Sequence, residues 1–336
     1  MNEVKVNKNR LPYIDVAKGL LIIMVICSHF ELLARLCYQI EDKTVVTFSQ
    51  IEQCWLVFFM PAFFYITSYC TNFKKSFREF TISGIKTILV PGLIINLSIN
   101  LIEYIQWGQT PLWILKTIIK SVLLQATSEW FLPSLFFGRL MLWWVVKIKE
   151  RYIRLAVSFT AMIVGLGLYN FFPQILDWWY FKHSLMILIF MLIGYEMKNR
   201  TIPKVHYIVL TFLLLLIGTI CFGDQMPRIT NKVVLSYTEI PLFLVLSLSG
   251  IVTILELSKK IGHNKLLEYF SRNSLVFYLL HFVFYRILLY LTLPLFGRDT
   301  ITSIFTIGLV LLTNIILCYV SAYLLNRRCL KWILGK

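Results

Sequence analysis

The sequence predicts an all-α, polytopic membrane protein of about ten transmembrane helices with both termini in the cytoplasm. Three observations carry this expectation. Of the 336 residues, 58% are hydrophobic and only 15% charged, with a mean hydropathy of +0.73; a soluble domain carries about 25% charged residues. Ten stretches are apolar over nearly the ~20 residues that cross a ~30 Å hydrocarbon core. With both termini inside, 22 of the 33 basic residues fall on the cytoplasmic side against 8 outside and three within spans, as the positive-inside rule requires. The net charge of +16 would suggest nucleic acid in a soluble chain. Between apolar spans its partner is anionic lipid headgroup, and nucleic acid is excluded.

In order, the spans are expected at 13–34, 52–71, 85–106, 131–147, 153–172, 184–198, 206–222, 239–258, 273–294 and 301–325. The sixth is short, and Pro133 lies near the start of the fourth. Residues 111–126 form a further apolar piece, but Lys116 and Lys120 within it favour an interfacial or re-entrant helix. The first ten residues lack an apolar core ending in a cleavage site, so the first span is expected to be retained. One membrane domain is expected over 1–336, with cytoplasmic tails at 1–12 and 326–336. The seven cysteines form no C-x-x-C pattern and read as small packing residues rather than metal or redox groups. No metal site is expected.

The first span, YIDVAKGLLIIMVICSHF, is apolar yet carries Asp15, Lys18 and His29. An ionisable group in a bilayer is costly unless paired or facing a cavity. Lys18 and His29 are eleven residues apart, almost a whole number of turns, so a continuous helix places them on one face roughly 16 Å apart. Asp15, one turn before Lys18, lies near the same stripe and can pair with it. The bland readings are a snorkelling lysine and a histidine bonded between helices.

A second cluster, SRNSLVFYLLH, opens the ninth span. Ser271 or Asn273 suits a helix N-cap, and Tyr278 and His281 share a face. A third is Glu129-Trp130-Phe131-Leu132-Pro133 at the outer entry to the fourth span, where interfacial Trp is also ordinary. Arg139 and Arg286 are intramembrane charges that need partners. His183, His206 and His263, near loop boundaries, read as surface residues, and Glu103 and Glu196 as solvated or interfacial. Trp178, Trp179 and Tyr180 read as an outer aromatic belt.

A basic residue, ten residues and a histidine in a first helix, with Asp15 and Gly19 nearby, resembles the acyltransferase-3 family of integral membrane acyltransferases. So does the run of Asn273, Ser274, Leu275, Tyr278, Leu279 and His281, and so does the Trp-Phe-Leu before the fourth span. Lys18 stands where many members have arginine, which keeps the charge but loses bidentate phosphate geometry. The resemblance implies transfer of an acyl group, usually acetyl, from cytoplasmic acetyl-CoA to a hydroxyl of an extracytoplasmic or lipid-linked glycan. It also implies a multi-pass protein of the bacterial inner membrane, in the compact form without an attached hydrolase-like domain.

On that basis His29 and Asp15 are the catalytic candidates, with His29 acting as general base or, alternatively, forming an acyl-histidine. Lys18, Arg139, Asn273 and Ser274 are the acyl-CoA candidates, and Lys18 near the cytoplasmic mouth suits a phosphate. Glu129, Trp130, Tyr278, His281 and Arg286 are the acceptor candidates: Glu129 for sugar hydroxyls, Trp130 for a ring face. The partners expected are acyl-CoA as donor substrate, the glycan or lipid-linked sugar and membrane lipid, with a homodimer left open and no permanently bound cofactor. A glycan transporter or flippase is the main alternative, although no inverted repeat is visible. A polyprenyl-dependent glycosyltransferase is another, for which the first loop offers only Glu41, Asp42 and Glu52.

Overall fold

The computed structural model describes residues 11–29, 52–108, 110–120, 130–172, 178–198, 206–230, 233–292, 300–327, 330 and 334. They are almost entirely helical. Six helices are long and apolar enough to cross a membrane: Glu52–Cys70, Phe77–Leu101, Arg151–Phe171, Tyr237–Ile261, Ser274–Thr292 and Ile304–Leu325. Phe131–Val145 and Val209–Phe222 are shorter apolar helices. The described residues of the stretches expected to be apolar fall mostly on helix, in an all-α membrane protein. The exception to pure helix is a two-residue hairpin, β1 (Arg228–Ile229) paired antiparallel with β2 (Val233–Val234).

Helix α1 (Pro12–Cys27) starts on Pro12, whose missing N–H costs nothing in a first turn. It ends earlier than the 13–34 expected. Ser28 explains the stop: its N–H donates to the Met24 carbonyl at 2.8 Å and its hydroxyl to the Val25 carbonyl at 2.7 Å, so the last carbonyls are satisfied locally. His29 therefore sits in the turn beyond the helix, and residues 30–34 lie outside the described residues.

Next come α2 (Phe59–Cys70) and α3 (Phe77–Gly84). Helix α3 opens on a capping box, with Ser76 Oγ accepting from Glu79 N–H and Glu79 Oε2 from Ser76 N–H. It runs through a π-helical segment (Ile85–Leu89) into α4 (Val90–Trp107). Pro91 gives a cause: it cannot donate to the carbonyl four residues back, and its ring crowds that carbonyl, so the preceding turn widens. Helix α4 closes on Gly108 in the left-handed region, φ +57°. Helix α5 is described over Pro111–Lys120; the rest of the apolar piece expected at 111–126 lies outside the described residues.

Helices α6 (Phe131–Val145), α7 (Arg151–Phe171), α8 (Phe181–Met197) and α9 (His206–Phe222) follow. Helix α8 is the central post. It packs against α2, α6 and α7 and is buried nearly all round, from Met186 through Leu192, as a uniformly apolar helix must be. Gly194 lets it touch α2: a Cβ there would lie 2.2 Å from the Tyr65 carbonyl oxygen. Glu196, expected to be solvated or interfacial, is largely covered rather than solvated and pairs with Arg154 Nη2 at 2.5 Å and Arg151 Nε at 3.6 Å near the end of α8.

The chain ends in α10 (Ile240–Ile261), α11 (Lys265–Arg272), α12 (Ser274–Thr292) and α13 (Thr300–Leu325). Helix α11 is capped by Asn264, which accepts from the N–H groups of Leu266 and Leu267, and its apolar side (Leu267, Phe270) turns inward. Its half-buried Glu268 carboxyl is held below the usual range by His263 first and by Arg272. Helix α1 packs against α2, α10, α11 and α12, so the first helix is enclosed by the last third of the chain. A Cβ on Gly19 would lie 2.3 Å from the Leu267 carbonyl oxygen, so α1 and α11 meet backbone to backbone.

These close approaches make a testable contrast. Gly19→Val and Gly194→Val force backbone apart and are expected to cost about 1–3 kcal/mol or more, read as a lower thermal midpoint of detergent-solubilised protein. Gly308, with nothing near its Cβ position, is expected to accept alanine with no loss, because alanine is the better helix former.

Candidate functional site

Two helices far apart in sequence bring the two histidine motifs together. His29 Nε2 lies 3.2 Å from His281 Nε2 of α12, with ring centroids 5.2 Å apart and planes inclined at 30°. The rings of Phe282 and Tyr285 meet His29 edge-on, each at 5.4 Å. His281 is 1% exposed, while His29 is half-buried. Each ring is braced from its own helix. Tyr285 Oη donates to the Ile26 carbonyl at 2.7 Å, holding the end of α1 just before the turn. His281 Nδ1 lies 3.1 Å from the Phe277 carbonyl, and the His281 carbonyl accepts from Asn314 Nδ2 of α13 at 2.8 Å.

From this pair a wall of rings extends into the bundle. His281 touches Tyr278 (5.8 Å), Tyr278 touches Phe131 (5.0 Å), Phe131 touches Trp130 (6.3 Å) and Trp130 touches His183 (5.3 Å). Trp130 and Tyr278 are 7% and 6% exposed, so both serve the packed interior. The expectation of a surface His183 is overturned. It is 1% exposed, donates from Nε2 to the Thr230 carbonyl at 3.1 Å, and lies against Tyr169 and Tyr180. The hairpin closing over α8 supplies that carbonyl, and no local signal announces it. Trp179 and Tyr180 both take left-handed backbone, φ 53° and 52°. Bulky residues rarely do so, and the Tyr180 carbonyl rewards it by accepting from Ser134 and Ser184.

At the other end of α1, Asp15 is buried and accepts from Ser271 Oγ at 2.7 Å. The carboxylate thus ties α1 to α11, on the order of 20 Å along the helix from His29. Lys18 is half-buried, beside the Gly19–Leu267 contact. Asn273 is the hinge between α11 and α12. Its amide donates to the Tyr269 carbonyl at 2.9 Å and its Oδ1 accepts from Asn326 at 2.6 Å, while Ser274 begins α12. Arg139 in α6 places its guanidinium over the Phe80 ring at 4.8 Å, and Arg286 sits over Phe282 at 5.6 Å. Glu129 lies outside the described residues.

The candidates therefore fall into two groups: His29, His281, Tyr278 and Arg286 around the histidine contact, and Asp15, Lys18, Asn273 and Ser274 around α11. Two further residues join the first group. Tyr285 follows His281 by one turn, a spacing legible in the sequence. Asn314 is a fully buried amide in an apolar helix, a signal of an interhelical bond. Glu52 is a further buried acid, 2% exposed; beside it Gln53 accepts from Arg228 at 2.6 Å. Among the described residues no group of three or more His, Cys, Asp or Glu is placed to hold a metal.

Two facing imidazoles, one of them half-buried at a helix end, are groups that can hold and pass a proton. No curated protein and no solved structure matches the chain. A family model described as an acyltransferase domain matches residues 11–323, which includes both histidines, Lys18 and the whole Asn273–His281 run. The chain belongs to the acyltransferase-3 family of membrane acyltransferases.

Proposed function

We propose that this protein moves an acetyl group from cytoplasmic acetyl-CoA to a hydroxyl of an extracytoplasmic or lipid-linked glycan, in a ten-span bundle of the bacterial inner membrane with both termini in the cytoplasm. The observation that carries the proposal is the 3.2 Å contact between His29 and His281, which joins the two family-like motifs from opposite ends of the chain. In this reading His29 takes the proton of the acceptor hydroxyl as its oxygen attacks the thioester carbonyl. A general base of this kind contributes roughly 10²–10⁴-fold.

Lys18 is the CoA anchor in this reading. It stands about 14 Å below Cys27 along α1, a separation comparable to the reach of a pantetheine arm. A phosphate held near Lys18 from the cytoplasmic side would then set the thioester near His29. Arg139 is a second cation for the CoA phosphates, since its Nε is buried and has no hydrogen-bond partner among the described residues. Asn273 and Ser274 lie near the same end of α1 but are occupied in shaping the α11–α12 hinge, so their contribution is to hold the mouth in shape. Asp15, bonded to Ser271, fixes α1 in register with α11 and hence where Lys18 sits against α11. The acceptor approaches from outside, past Trp130, Glu129, Tyr278 and Arg286.

Acetyl-CoA binding to the purified protein tests the donor side without knowledge of the acceptor. Saturable binding is expected, weakened roughly tenfold by Lys18→Ala through loss of one charge-assisted contact, largely kept by Lys18→Arg, and kept by His29→Ala. A folded protein that does not bind acetyl-CoA overturns the proposal and redirects attention to glycan transport. Acetyl transfer into membrane glycan is expected to fall by roughly 10²–10⁴-fold in His29→Ala. Unchanged transfer would remove His29 from the chemistry.

A further inference from the structure

We propose that His281 is a positioning residue that fixes His29 in one tautomer, so that the atom receiving the acceptor's proton is His29 Nδ1. The inference rests on the acyltransferase reading for its role in catalysis, but its geometry stands alone. A carbonyl oxygen only accepts. The Phe277 carbonyl, 3.1 Å from His281 Nδ1, therefore requires that nitrogen to carry hydrogen. A neutral His281 is then bare at Nε2. The nitrogen facing it, His29 Nε2 at 3.2 Å, must carry the hydrogen between them, because two bare lone pairs would repel at this distance. A neutral His29 with hydrogen on Nε2 is bare at Nδ1.

The chain of bonds runs from His29 Nε2–H to His281 Nε2, and from His281 Nδ1–H to the Phe277 carbonyl. Its far end is anchored in α12, and α12 is itself held by the bond from Asn314 to the His281 carbonyl. Tyr285 completes the setting by bonding the Ile26 carbonyl, which fixes where the His29 turn begins. The arrangement does what the carboxylate of a serine-protease triad does for its histidine, with a neutral imidazole in that place. In the transfer step the acceptor oxygen forms the new C–O bond to the acetyl carbonyl carbon and gives its proton to His29 Nδ1. The imidazolium so formed keeps its Nε2–H bond to His281. The C–S bond breaks, and the departing CoA thiolate takes the proton back from Nδ1. His281 begins and ends the step neutral.

Nitrogen-15 NMR of histidine-labelled protein in lipid bilayers reads the tautomers directly, with the two signals assigned through His29→Gln and His281→Gln. At neutral pH the wild type is expected to show His29 protonated at Nε2 and bare at Nδ1, and His281 protonated at Nδ1. His29 bare at Nε2, or His281 carrying its hydrogen on Nε2, overturns the proposal. The wild-type spectrum decides even if a His281 variant fails to fold. In folded His281→Phe, His29 is expected to become a mixture of tautomers, with acetyl transfer reduced on the order of 10²-fold and acetyl-CoA affinity unchanged. His281→Gln, whose amide oxygen can accept from Nε2–H, is expected to recover part of that loss. If His281→Phe leaves the His29 tautomer unchanged, the positioning role is overturned. Unchanged transfer in His29→Gln would instead overturn the acyltransferase role of His29 and leave the tautomer assignment standing, so the two failures are distinguishable.

Discussion

Polar groups on α1 must find partners in an apolar interior, and the C-terminal helices supply them at three points. Ser271 meets Asp15, Tyr285 meets the Ile26 carbonyl, and His281 meets His29. A buried polar group left unmet costs several times what a satisfied one contributes. The three contacts therefore fix both the height and the rotation of α1 against α11 and α12. The Gly19–Leu267 approach adds a steric constraint at the same seam. Everything proposed for this protein depends on that seam, because it holds Lys18 against α11 and brings His281 of α12 to His29.

The bilayer explains why the rest of the bundle can be so plain. Exposed leucine, isoleucine and phenylalanine side chains crowd α7, α9 and α13, a surface that would aggregate in water and is natural against lipid. Specificity in such a protein has to come from its few polar atoms. Helix α8 shows the complementary case: it is buried, bonded through its ends and packed through Gly194, and its job is to hold α2, α6 and α7 in place.

Much of this was legible in the sequence. Apolar length and the distribution of Lys and Arg pointed to a helical membrane protein, and the described residues of the expected apolar stretches lie mostly on helix. His29 and His281 stood out because ionisable residues in apolar runs are costly. What stayed hidden has physical causes. A straight helix through His29 was the natural extrapolation from apolar length, but Ser28 bonds back to Val25 and ends it, and propensity alone does not predict that. His183 was misjudged because its partner, the Thr230 carbonyl, lies in a hairpin 47 residues away. The ion pairs of Glu196 stayed hidden because Arg151 and Arg154 come from the neighbouring helix. Asp15 illustrates a finer limit: helical spacing put it on the Lys18 stripe, but its hydrogen bond to Ser271 depends on how α11 folds back.

The central claim is that His29 and His281 act as one unit in acetyl transfer. A double-mutant cycle tests it most directly. Transfer of labelled acetyl from acetyl-CoA into membrane glycan would be compared for wild type, His29→Gln, His281→Phe and the double variant, in matched membranes with matched protein levels. Groups acting as a unit are strongly non-additive, so the double variant is predicted to be no slower than His29→Gln alone. Losses that multiply, with the double variant slower than either single by the product of the two effects, would show two independent roles and contradict the account.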